Sequence, residues 1–174
     1  MSKLPITIDV EIPNDPDRIY DYTKHILELI LGHIDLDLSH QRRIKLIVVE
    51  LITNSIKHSN GHPTQIQLVI DHPQLSIMKL EKGLQIEFSS PQQIPFENIE
   101  QKLKISFSES NNHEIQPLDE YRFKFLNPVH EHDLSLDKMP EHFGFYIITL
   151  ASDSFIYQYD PDIKENRFIV NINM

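Results

Sequence analysis

Apolar and polar residues alternate from Leu4 through Ile6, Ile8, Val10 and Ile12, the pattern of a strand with one buried face. The period then lengthens. Ile19, Tyr22, Thr23, Ile26, Leu27 and Ile30 recur at helical spacing, opened by Asn14-Asp15-Pro16 and stopped near Gly32. After a link over 35–38, residues 42–61 predict a longer helix with Ile44, Ile47, Val48, Leu51, Ile52 and Ser55 on one broad side. Ser39 is its expected N-cap, and Asn60-Gly61 supplies the stop.

Alternation resumes at 65–71, 75–80 and 84–88, which predicts three strands separated by His72-Pro73 and by Glu81-Lys82-Gly83, the latter a hairpin signal. Phe96, Ile99 and Leu103 suggest a helix over 95–105. Residues 106–140 are polar and irregular apart from an alternating island at 121–126, so a lid, insert or binding loop is expected there. A last helix is expected to open at Glu141. Two strand-like runs, 154–159 and 167–172, follow it around a turn at Asp160-Pro161-Asp162 that Asn166 closes.

With 174 residues, the chain suits one full core better than two, so 1–174 reads as a single domain. No apolar run approaches the ~18 residues of a membrane span, and the first residues lack the basic and apolar regions of a signal peptide. The expectation is a cytoplasmic protein with no membrane association. Without cysteine there is no disulfide framework and no thiolate chemistry. The 16 basic against 26 acidic residues, a net charge of −10, argue against a nucleic-acid partner held through its phosphates. Arg42-Arg43-x-Lys45 is the one tight basic cluster, and it reads as a solvated first helical turn.

The other side of the long helix carries Glu50, Asn54 and Lys57 at i, i+4 and i+7, with His58 at the edge. Such a row can be a solvated helix surface. Its spacing, Glu-x-x-x-Asn-x-x-Lys-His after an apolar run, resembles the first box of the GHKL (histidine-kinase-like, Bergerat-type) ATPase superfamily. The order of elements resembles the anti-sigma-factor serine kinase branch in particular. The resemblance implies an α/β, two-layer α+β sandwich with a mixed sheet and helices on one face. It also implies ATP and Mg²⁺ as cofactors, with Glu50 polarising the attacking water or hydroxyl and Asn54 holding the metal. Mg²⁺ takes hard oxygen ligands, and a general base must reach its proton, so the residue types suit those roles. Lys57 and His58 would neighbour the phosphates.

The last helix supplies a second likeness. The family's Gly-Leu-Gly-Leu compares with His142-Phe143-Gly144-Phe145, in which Gly144 would let backbone N–H groups approach a triphosphate beside Phe145. The same aromatics also read as anchors of a core helix. The middle box departs from the pattern. The family has Asp-x-Gly-x-Gly, its Asp reading the adenine amino group, whereas the run after Phe88 is Ser89-Ser90-Pro91-Gln92-Gln93-Ile94-Pro95. Ser89 or Ser90 could accept one bond, more weakly than a carboxylate. Four glycines in all do not build a glycine-lined lid.

Two functions follow as expectations. One is a regulatory module that docks a protein partner with weakened or lost ATP use, with room for a homodimer. The other is an active Mg-ATP-dependent serine/threonine kinase or ATPase. A metal site at His130-Glu131-His132-Asp133 lacks an identifiable third ligand. Glu50 and His58 lie about 12 Å apart along a helix, too far for one acid–base pair.

Overall fold

The computed structural model describes residues 4–58, 61–108, 111–126 and 143–174. Its centre is one eight-stranded sheet in the order β1-β2-β3-β8-β7-β6-β5-β4. The strands are β1 (Ile6–Ile12), β2 (Thr64–Asp71), β3 (Gln74–Lys82), β4 (Leu103–Ser108), β5 (Asn111–Asp119), β6 (Arg122–Phe125), β7 (Ser154–Asp160) and β8 (Glu165–Asn173). Among the described residues three α-helices accompany them: α1 (Ile19–Leu31), α2 (Leu38–His58) and α3 (Gly144–Ala151), with a 3-10 turn at Pro16–Arg18 before α1. Every neighbouring pair of strands is antiparallel, so the expected mixed sheet is corrected to an antiparallel one. The α+β class holds. No helix among the described residues is long and apolar enough to cross a membrane.

The register explains how one face becomes the core. Val10 faces Ile66, Leu68 faces Ile77, Ile77 faces Val170, Val170 faces Phe155 and Phe155 faces Phe125. All of these are buried, so the apolar side continues across six strands. The intervening residues are half-buried or exposed. Against the apolar side α2 sets Ile44, Ile47, Val48, Leu51, Ile52 and Ser55, all buried as their spacing predicted. Burying a Leu or Ile side chain is worth roughly 1.5–3 kcal/mol, so this stripe is the main reason α2 lies where it does.

Helix boundaries shift where backbone capping decides them. α2 starts at Leu38, so Ser39 is inside it. Asp37 caps instead, its Oδ1 accepting from the His40 N–H at 2.8 Å. Gly61 adopts φ +88°, the left-handed conformation a chain needs on leaving a helix, while Asn60 lies outside the described residues. α3 begins at Gly144 rather than Glu141, which with His142 also lies outside the described residues.

Four sequence expectations are overturned between Lys82 and Phe125. No hairpin forms at Lys82-Gly83: Gly83 turns out at φ +145°, its N–H donating to the Lys164 carbonyl, and β3 pairs onward with β8. Residues 84–88 are not a strand. Ile86 is held by its N–H donating to the Tyr157 hydroxyl at 3.1 Å, and Phe88 lies edge-on to Phe107 and Phe123. Residues 95–105 are not a helix, since Phe96 is pinned by its N–H to the Glu120 carbonyl and Ile99 stays exposed. The polar stretch expected as a lid instead forms the end of β4, then β5 and β6. Its inward positions are few but decisive: Ile105, Ile115, Phe123 and Phe125 are each at most 2% exposed. The remainder of that stretch, including His130-Glu131-His132-Asp133, lies outside the described residues.

Candidate functional site

α2 and α3 run antiparallel across the core face, clamped at both ends. At one end Arg43 donates from Nε to the Ala151 carbonyl at 2.7 Å and pairs with Asp153 at 2.9 Å. Arg43 therefore caps the C-terminus of α3 rather than standing in a solvated turn. At the other end, a Cβ built on Gly144 would lie 2.7 Å from Glu50 Oε2, 2.9 Å from Asn54 Nδ2 and 3.4 Å from Asn54 Oδ1. A residue with a side chain would push the Glu50 and Asn54 tips back from these positions. Glu50, Asn54 and Gly144, 94 residues apart in sequence at their extremes, thus meet at one point.

Glu50 is half-buried there. Loss of hydration holds its carboxyl above the usual carboxylate range, and the Lys57 ammonium partly offsets that. Lys57 and His58 are exposed on the last turn of α2. Ser89 does not join the group: its hydroxyl and its N–H both bond the Ser106 carbonyl, fastening the irregular segment to β4, and Ser90 accepts from the Ser106 N–H.

In front of Asn54 opens a cavity of about 330 Å³, lined among others by His58, Lys79, Glu81, Asn111 and Phe145. A larger groove of about 810 Å³ shares His58, Glu81 and Ile86 with it, so the two adjoin. Glu50 and Ser89 line neither.

Most of the residues lining the smaller cavity escape the sequence reading. Lys79 is 3% exposed, donates from Nζ to Glu81 Oε1 at 2.7 Å and sits 4.3 Å from the Phe168 ring centre. Burial pulls its ammonium below the usual lysine range, and Glu81 opposes that. Glu81 Oε1 also accepts from Ser55 Oγ at 3.1 Å. Asn111 is fully buried; its Oδ1 lies 2.7 Å from His113 Nε2, and its Nδ2 has no partner. Phe107 forms another wall. One of these was visible beforehand: after Leu75 and Ile77, the next inward position of that strand is a lysine, which must be paired if buried.

No protein-family model matches the chain, and no curated protein matches it either.

Proposed function

We propose that this chain is a regulatory module of the histidine-kinase-like type, nearest to the anti-sigma-factor serine kinases, that docks a protein partner and has weakened or lost ATP use. The observation that carries the reading is the seating of α3 on the acid–amide pair of α2. The Cβ position of Gly144 falls 2.7 Å from Glu50 Oε2 and 2.9 Å from Asn54 Nδ2, so the α3 backbone occupies the space in front of both side chains. A general base works within hydrogen-bond reach of its proton, and Glu50 borders neither cavity. Asn54 Oδ1, the side-chain oxygen offered to Mg²⁺, lies 3.4 Å from the Cβ position of Gly144.

The experiment is a turnover assay. ATP hydrolysis and transfer to added serine- or threonine-containing protein are measured for the chain and for Glu50→Ala. The expected result is the same background rate for both. A rate well above background that Glu50→Ala abolishes would overturn the reading.

One observation favours the active kinase instead. Glu81-Lys82-Gly83-Leu84-Gln85, at the end of β3, resembles the Asp-x-Gly-x-Gly box with Glu for Asp and Gln for the second glycine. Under that reading Glu81 faces the base and α3 lifts from α2. Glu50 then serves as the base and Asn54 as the metal ligand. Lys57, His58, Gly144 and Phe145 attend the phosphates.

A further inference from the structure

We propose that the outer edge of β1 is a strand-addition site for a partner protein's extended segment in which lysine or arginine alternates with apolar residues. This rests on the partner-docking part of the reading above, to which it gives a surface, and holds whether or not ATP is used. β1 ends the sheet and pairs only with β2, so among the described residues its other edge meets no strand. Backbone N–H and C=O groups left on such an edge are a template for another strand. The edge runs for seven residues, with no proline inside it and Pro5 and Pro13 on either side. The opposite end of the sheet is occupied. Ser106 of β4 gives its N–H to Ser90 Oγ, and its carbonyl accepts from the Ser89 N–H and hydroxyl.

The two faces of β1 set the chemistry of the occupant. Towards the helices Val10 and Ile12 are buried, whereas Ile6 and Ile8 pack on the core yet stay half-buried. Apolar side chains of an added strand would lie beside Ile6 and Ile8 and cover them. On the other face Thr7, Asp9 and Glu11 are exposed in a row. Asp9 accepts from Gln67 Nε2 at 2.8 Å and Glu11 from Gln65 Nε2 at 2.7 Å, both neutral amides. Neither β1 nor β2 contains a lysine or arginine, and Asp71 ends β2, so nothing on these two strands balances the carboxylates. Cross-strand neighbours of opposite charge favour pairing, and like charges oppose it. The same rule disfavours a second copy of this chain. Antiparallel β1–β1 pairing centred on Asp9 sets Asp9 against its own counterpart, and pairing centred on Val10 sets Asp9 against Glu11.

Fluorescence anisotropy of the full chain with labelled, end-capped heptapeptides tests this. One peptide alternates lysine with valine, and one alternates glutamate with valine. A third is the lysine peptide N-methylated on two adjacent central amides, which blocks both of its edges. The lysine peptide is expected to bind at least about tenfold more tightly than either control. Asp9→Asn combined with Glu11→Gln, both at exposed positions, should weaken it roughly two- to thirtyfold, as two opposite-charge pairs imply. Hydrogen exchange with the lysine peptide bound should slow at β1 amides and leave those of β4 unchanged. Equal binding of the N-methylated peptide would overturn the proposal, because charge would then act without strand pairing. Equal binding of the glutamate peptide, or no binding at all, would overturn it too. Self-association of the chain that the lysine peptide displaces would overturn it in favour of a second copy. None of these results bears on the turnover of the chain and of Glu50→Ala, so the two readings fail separately.

Discussion

Gly144→Ala puts one methyl group into the junction on which the functional reading depends. The added Cβ would lie 2.7 Å from Glu50 Oε2 and 2.9 Å from Asn54 Nδ2, against ordinary contacts that begin near 3.4 Å. To reach 3.4 Å, Glu50 Oε2 must retreat by about 0.7 Å and Asn54 Nδ2 by about 0.5 Å. They can do so, because both side chains are half-buried and Glu50 Oε2 and Asn54 Nδ2 are their flexible tips. Gly144 is not among the glycines with positive φ, so alanine meets no backbone strain. Overpacking costs typically 1–3 kcal/mol, and here the low end applies. The better helix propensity of alanine returns up to about 1 kcal/mol, less at a first helical position. The expected net loss is about 1 kcal/mol, or about 2–4 °C in Tm for a chain of this size.

Chemical unfolding followed by circular dichroism measures it, with the slope against denaturant checked for constancy. The decisive comparison is a double-mutant cycle. In the Glu50→Ala background the closest contact is gone and Asn54 can move into the space. The same Gly144→Ala change should then cost at least ~0.5 kcal/mol less, the coupling expected of touching residues. An equal cost in both backgrounds would refute the contact. A loss above ~3 kcal/mol in the parent would show backbone rather than side-chain conflict.

Further expectations follow from the buried polar groups. His113 is 5% exposed among Phe107, Phe125, Phe145 and Tyr146, and burial lowers its pKa to about 4. The unfolded chain therefore binds a proton that the folded one refuses. Stability should fall by about 3 kcal/mol as pH drops from 7 to 4, a slope reduced in His113→Phe relative to the parent in pH-dependent melts. The Lys79–Glu81 pair should respond asymmetrically. Glu81→Ala strands a buried ammonium and should cost about 3–5 kcal/mol, whereas Lys79→Met leaves Glu81 its bond to Ser55 and should cost clearly less in the same unfolding assay. Tyr157 donates to Asn166 Oδ1 at 2.6 Å and accepts from the Ile86 N–H, so Tyr157→Phe should cost about 1–3 kcal/mol. Amide exchange should show loosening of the segment around Ile86, which that hydroxyl ties to the sheet.

Periodicity carried the elements whose faces differ sharply. The six inward positions of α2, the alternation of β1, β2 and β3, and the closing β7–β8 hairpin all appear where the apolar pattern put them. What failed was the region where few apolar residues decide the structure. β4, β5 and β6 bury Ile105, Asn111, His113, Ile115, Phe123 and Phe125, a row interrupted by an amide and an imidazole, so the text read as loop. Residues 84–102 misled in the opposite sense. Ile86, Phe88 and Phe96 repeat like strand and helix residues, yet Phe88 and Phe96 pack against the β4 and β6 aromatics and Ile86 hangs by its N–H from Tyr157, without a ladder partner. Of the candidate site, Glu50, Asn54 and Gly144 were legible and do converge. Asn111 was not, because nothing in a local pattern tells a buried amide without a partner from one that bonds its own turn.

The account turns on whether α3 stays seated on Glu50 and Asn54 when nucleotide is offered. Calorimetric titration of the chain with Mg-ATP tests that most directly. The account predicts no saturable heat in the micromolar range and no difference between the chain and Asn54→Ala. Saturable micromolar binding that Asn54→Ala removes would contradict it.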